Sequence, residues 1–174
     1  MRMIALATTA ALSALALSAP AMTQDVAQPA ANPQIDYDGF TSLTIELAEV
    51  RAAHRLPLDQ WLALSRADGA ILLDTRSAAA FAEGHIDGAI NLPFSDFTDE
   101  KLAQVLGPDV NRPIYIYCNN NFTDDIAPIV SKRAPLALNI PTFINLHGYG
   151  YTNVWELADV VPTSSVPWVR AADS

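Results

Sequence analysis

Short apolar runs between turn residues dominate the middle of the chain. Ala70-Ile71-Leu72-Leu73 follows Asp68-Gly69, Ala89-Ile90-Asn91-Leu92 stops at Pro93, and Ile114-Tyr115-Ile116-Tyr117 runs straight into Cys118. Such runs predict strands buried on both faces, and a further strand is expected over 142–146, before Gly148-Tyr149-Gly150. Helices are expected between them. One covers 58–66 after Pro57, with Trp61, Leu62 and Leu64 as its apolar positions, and a second covers 77–83, with Ser77 as N-cap and Gly84 as its stop. Others are expected over 99–106, 124–133 and 154–160. Upstream, Tyr37-Asp38-Gly39-Phe40 reads as a turn, 46–54 as helical, and Leu56 as the start of a short extended piece. Strands alternating with helices predict an α/β fold whose parallel sheet is covered on both faces. In such sheets the site lies at the carboxyl ends of the strands. Cys118 stands at one of those ends.

The two termini read differently. Arg2 precedes an uncharged Ala/Leu-rich run over 3–18 and then Ala19-Pro20-Ala21, the pattern of a secretory signal peptide cleaved after Ala21. Residues 22–34 are polar and aperiodic, a linker; 35–161 form the expected domain. The tail over 162–174 is turn-rich, with Trp168 expected to dock. Cleavage would leave no membrane span and would place the protein in a periplasm or outside the cell. The 174 residues suit one domain, and half of them are hydrophobic. Nineteen acids against ten bases give a net charge of −9, which disfavours nucleic acid and anionic lipid as partners.

Cys118 is the only cysteine, so no internal disulfide is open to it in an oxidising compartment. A thiol at the mouth of a helix faces unpaired backbone N–H groups and the positive end of the peptide dipoles. Both favour the thiolate, lower its pKa and would stabilise the terminal sulfur of a persulfide. Cys118 with Asn119, Asn120, Asn121, Phe122 and Thr123 forms such a loop, its three Asn residues supplying amides but no charge. Asp124 and Asp125 are expected to cap the following helix and to repel small anions. One Cys and three scattered His residues supply no metal site, and no cofactor motif is present.

Leu72-Leu73-Asp74-Thr75-Arg76 with Phe81-Ala82-Glu83-Gly84-His85-Ile86-Asp87-Gly88-Ala89-Ile90-Asn91 resembles the first signature of rhodanese-like domains. Tyr115-Ile116-Tyr117-Cys118 resembles the strand and nucleophile of that family, and Leu146-His147-Gly148 with Trp155 its C-terminal signature, in which Tyr149 interrupts the usual paired glycines. The resemblance implies a central parallel five-stranded sheet with helices on both faces, persulfide chemistry at Cys118 and no metal. It also implies sulfur transfer rather than phosphatase chemistry, because the six-residue loop ends at Thr123 and Asp124 takes the place where the phosphatase branch, with a loop one residue longer, carries a phosphate-binding Arg. Asp74, Arg76 and His85 are expected to support the loops structurally, and His147 is a candidate pocket residue that would tune the thiol.

The expected function is therefore a sulfurtransferase. A donor loads sulfane sulfur on Cys118, and a thiol or cyanide removes it, with thiosulfate a poor donor for so acidic a surface. Two alternatives remain open at this level: a rhodanese-fold binding module of the cell envelope, and a redox-active thiol that needs a partner thiol.

Overall fold

The computed structural model describes residues 32–170; the expected signal peptide and most of the linker lie outside the described residues. The unit that carries the sheet begins at Asp36. Its helices are α1 (Tyr37–Glu46), α2 (Ala48–Ala53), α3 (Leu58–Ser65), α4 (Ala78–Glu83), α5 (Asp99–Leu106) and α6 (Asn139–Gly148). Its strands are β1 (Arg55–Leu56), β2 (Ile71–Asp74), β3 (His85–Ile86), β4 (Ile90–Asn91), β5 (Ile114–Tyr117), β6 (Val154–Leu157) and β7 (Trp168–Val169).

Five strands form one parallel sheet in the order β1-β6-β5-β2-β4, and β3 pairs antiparallel with β7 in a second, two-stranded sheet. Successive strand residues point to opposite faces, so the main sheet builds two cores. Ile71, Leu73, Ile114, Ile116 and Val154 pack with Leu102 and Leu106 of α5 and Phe143 and Leu146 of α6. Leu72, Tyr115, Tyr117 and Leu157 pack on the other side with Trp61 of α3, Ile86 and Phe122. Coverage of both faces explains why β2 and β5 are apolar nearly throughout. Between α3 and β2 the chain turns at Gly69, whose φ of 83° lies in the left-handed region open to glycine.

Four expected elements differ from the structure, each for a local reason. Tyr37-Asp38-Gly39-Phe40 lies inside α1 because the Asp36 carboxylate accepts from the Gly39 N–H at 2.8 Å and caps that helix one residue earlier. No helix spans 124–133. Pro128 sits in its middle without an N–H to donate, and the chain runs there as an irregular excursion. Residues 142–146 belong to α6, not to a strand: Asn139, Thr142, Phe143 and Leu146 are buried at helical spacing, and Pro141 falls in the first turn, where no donor is needed. Residues 154–157 are strand β6, paired between β1 and β5, not a helix. Val154 and Leu157 enter opposite cores, and buried Glu156 pairs with Arg51 of α2.

The tail contributes structure as well. Ile86 lies opposite Trp168 in the β3–β7 pair, and Trp168 meets Phe122 edge-on, ring centres 5.2 Å apart. Among the described residues no helix is long and apolar enough to cross a membrane.

Candidate active site

Strand β5 lies between β2 and β6 and delivers Cys118 to the carboxyl edge of the sheet. The chain then turns through one 3-10 turn, Asn119–Asn121, and the Thr123 N–H donates to Val161 O at 3.0 Å. Cys118 is 1% exposed. The backbone N–H groups of Asn139, Asn120 and Leu138 act on its sulfur, each favouring the thiolate. Two of the three come from the start of α6, with Leu138 its N-cap. The helix mouth anticipated at the thiol is therefore present, but it belongs to α6, about twenty residues further along the chain. The net effect on the thiol is opposite to the expected one. Burial raises the Cys118 pKa, the three amides lower it without compensating, and the charge of Glu156 raises it further.

Each Asn of the loop has a definite task. Asn119 Nδ2 donates to Val130 O at 2.8 Å, and its Oδ1 is buried without a partner among the described residues. Asn120 holds the backbone of Lys132 twice, donating to its carbonyl at 2.7 Å and accepting from its N–H at 3.1 Å. Asn121 is buried and joins three segments. Its Oδ1 accepts from the Cys118 N–H and from Asn139 Nδ2, each at 3.0 Å, while its Nδ2 donates to Leu157 O at 2.9 Å and Asp159 O at 3.0 Å. That side chain fixes the thiol loop against the helix start that supplies two of the amides. Asn121→Ala is expected to lower stability by about 2–3 kcal/mol, because it strands buried polar partners. It is also expected to raise exposure of Cys118 to iodoacetamide. Urea unfolding and timed alkylation measure the two effects, and an unchanged alkylation rate would deny Asn121 its positioning role.

Asp74, Arg76 and Tyr117 form a buried cluster behind the loop. Asp74 is 0% and Arg76 3% exposed. Arg76 Nη2 meets Asp74 Oδ2 at 2.5 Å and Gly84 O at 2.7 Å, and Tyr117 donates to Asp74 Oδ2 at 2.7 Å. Burial opposes the Arg76 charge, but the hydrogen bonds and charge of Asp74 outweigh it, so its pKa is raised. Burial, reinforced by Asp74, likewise pushes the Tyr117 phenol well up. His85 donates through Nδ1 to Phe81 O at 2.8 Å and stacks on that ring.

A cavity of about 300 Å³ opens beside the thiol. Thr75, Ser77 and Ser95, apolar Ala80, Pro93, Phe94 and Leu138, Asn119 and Asn120, and the basic residues Arg76 and Lys132 line it. Asn120 and Leu138, whose N–H groups act on the sulfur, also line the cavity. Cys118 does not line it. Phe122 and Thr123 do not either: Phe122 is buried against Tyr117 and Trp168. His147 does not face the cavity as expected. It lies in the last turn of α6, donates through Nδ1 to Phe143 O at 2.9 Å and stacks on Phe143. Burial lowers its pKa. Asp124 and Asp125 cap no helix. Asp124 accepts from the Thr163 N–H at 2.8 Å and Asp125 from the Ser131 N–H at 2.7 Å, so neither carboxylate lines the cavity.

The family model for the rhodanese-like domain matches residues 58–159, which include one core and most of the other, the Asp74–Arg76 pair and Cys118. The chain belongs to the rhodanese-like domain family. It is 36% identical over 64 residues to the thiosulfate sulfurtransferase GlpE of Pseudomonas putida, a match covering 37% of this chain and 54% of that protein. It is 32% identical over 73 residues to the GlpE of Shewanella oneidensis, covering 41% of this chain and 67% of the relative. The chain thus spans just over half the length of the first relative and two thirds of the second. Among solved structures, the rhodanese-like domain of the Alr3790 protein from Anabaena sp. is similar at 21% identity and a TM-score of 0.41, over 64% of this chain and 99% of that domain. The α/β fold with its five-stranded parallel sheet is that of rhodanese-like domains.

Proposed function

We propose that this rhodanese-like protein carries sulfane sulfur as a persulfide on Cys118 and passes it to a thiol or cyanide. The observation that carries this reading is the convergence of three backbone N–H groups on the only sulfur nucleophile in the chain. In the loading step the Cys118 thiol gives its proton to solvent, and the thiolate attacks the terminal sulfur of a donor persulfide. A new S–S bond forms, the donor's S–S bond breaks, and the electron pair leaves on the donor thiolate. In the second step an acceptor thiolate attacks the terminal sulfur, and Cys118 departs as thiolate. The amides serve both species, because they direct N–H dipoles at sulfur that is anionic when reactive. The N-terminal pattern supports a site of action outside the cytoplasm.

The raised thiol pKa argues for a good sulfur donor. We expect a low-molecular-weight persulfide to load Cys118 faster than thiosulfate does. Intact-mass measurement of the protein treated with glutathione persulfide is expected to show an increase of about 32 Da that reductant removes, and a smaller one with thiosulfate. The nearly complete burial of Cys118 is the one observation that favours a non-catalytic binding module. Absence of the added sulfur with either donor would establish that reading instead.

A further inference from the structure

Between Asp125 and Glu156, through the approach to α6, α6 itself and the start of β6, the chain carries a distinct charge pattern. Over 126–155 no acidic residue occurs, in a protein of net charge −9. The two cations of this stretch, Lys132 and Arg133, are adjacent and exposed, and neither enters an ion pair among the described residues. Val130 and Leu136 flank them at 55% and 64% exposure. The segment is held in place rather than loose: Asn119 grips Val130, Asn120 grips Lys132 twice, and Asp125 grips Ser131. The carboxylates nearest in the chain, Asp124 and Asp125, accept from the backbone N–H groups of Thr163 and Ser131 respectively. Lys132 and Leu138 carry this surface into the wall of the cavity beside Cys118.

We propose that residues 130–138 form a docking surface for a polypeptide sulfur partner whose reactive sulfur is flanked by acidic and apolar residues. This inference rests on the sulfur-transfer reading and names the partner class for that site. Charge decides the chemistry of the occupant. An acidic peptide is repelled by the net charge of the molecule and attracted by the adjacent Lys132 and Arg133, which steers its thiol to the cavity. The apolar pair supplies the contact area that cations alone lack. An anionic membrane is the less favoured occupant, because a flat bilayer would bring the remaining acidic surface against its own charge.

The test uses the full chain and fluorescein-labelled peptides in which Ser replaces the reactive Cys, so that binding is read without sulfur chemistry. A peptide of Glu and Leu around the Ser is expected to bind about tenfold tighter at low salt than its Lys-for-Glu counterpart, and to lose that advantage as salt rises. Lys132→Glu, and separately Arg133→Glu combined with Leu136→Ser, are expected to abolish the preference with the circular dichroism unchanged. Equal binding of the two peptides, or a preference that survives both variants, would overturn the proposal. So would sedimentation with phosphatidylglycerol vesicles that Arg133→Glu abolishes while no peptide is preferred. Because binding and loading are read separately, failure here is distinct from failure of Cys118 to take up sulfur.

Discussion

Asp74→Ala is expected to destabilise the protein by about 3–5 kcal/mol, the cost of leaving one member of a buried ion pair without its partner. Asp74 accepts from the Arg76 backbone N–H at 2.9 Å, from Arg76 Nε at 3.0 Å and from Tyr117 Oη at 2.7 Å, on a carboxylate with no exposed surface. Ala supplies none of these acceptors. The Arg76 guanidinium would remain in place, 5.8 Å from the Tyr117 ring centre and 5.4 Å from that of Trp168. Its one strong remaining acceptor would be the Gly84 carbonyl. Urea unfolding measures the loss. A double variant, Asp74→Asn with Arg76→Met, is expected to be more stable than Asp74→Ala alone, because it removes the charge whose isolation causes the damage. A loss for Asp74→Ala below about 1 kcal/mol, the range of exposed pairs, would show that water reaches the cluster. The same pair shapes the site, since Arg76 lines the cavity and ties α4 to the end of β2 through Gly84.

Those residues were legible in the sequence, and their positions show why. Asp74-Thr75-Arg76 leaves a four-residue apolar run, so the polar triplet had to sit where a buried strand meets a loop, and local hydrogen bonding follows from spacing alone. Strand β5 and helix α5 were equally local: the one is a bounded apolar run, the other is capped by Thr98 and stopped at Gly107. What the sequence concealed is non-local. Val154–Leu157 reads as helical because a carboxylate interrupts the apolar run; Arg51, a hundred residues earlier in the chain, neutralises it in the sheet. The amides around Cys118 were expected from the residues that follow it, yet two come from Leu138 and Asn139 after a long excursion. Two signals for that arrangement were present. Pro128 interrupts the helix expected directly after the thiol, and Asn139-Ile140-Pro141 has the proline-in-first-turn pattern of a helix start. The expected fall in thiol pKa failed for a related reason: a sequence shows which groups can donate to a sulfur, but not how completely the fold removes that sulfur from water.

Cys118→Ser is expected to eliminate sulfur uptake from glutathione persulfide while leaving the fold intact, which is the sharpest separation of chemistry from scaffold available here. Serine is close in shape, and its hydroxyl accepts from the same N–H groups of Asn120, Leu138 and Asn139. The chain has no second cysteine to take over. In the wild type, burial makes the thiolate a minority at neutral pH, so capture by iodoacetamide is expected to rise with pH through a midpoint above the ordinary cysteine value of about 8.5. The sign follows from the charged form being the disfavoured one: raising the pKa moves the onset of reactivity upward. A midpoint below the ordinary value would mean that the amides outweigh burial. Retention of the added mass by Cys118→Ser would place the sulfur on another group and end the persulfide reading. If instead the wild type takes up sulfur only above the thiol midpoint and the variant takes up none, the nucleophile is the Cys118 thiolate.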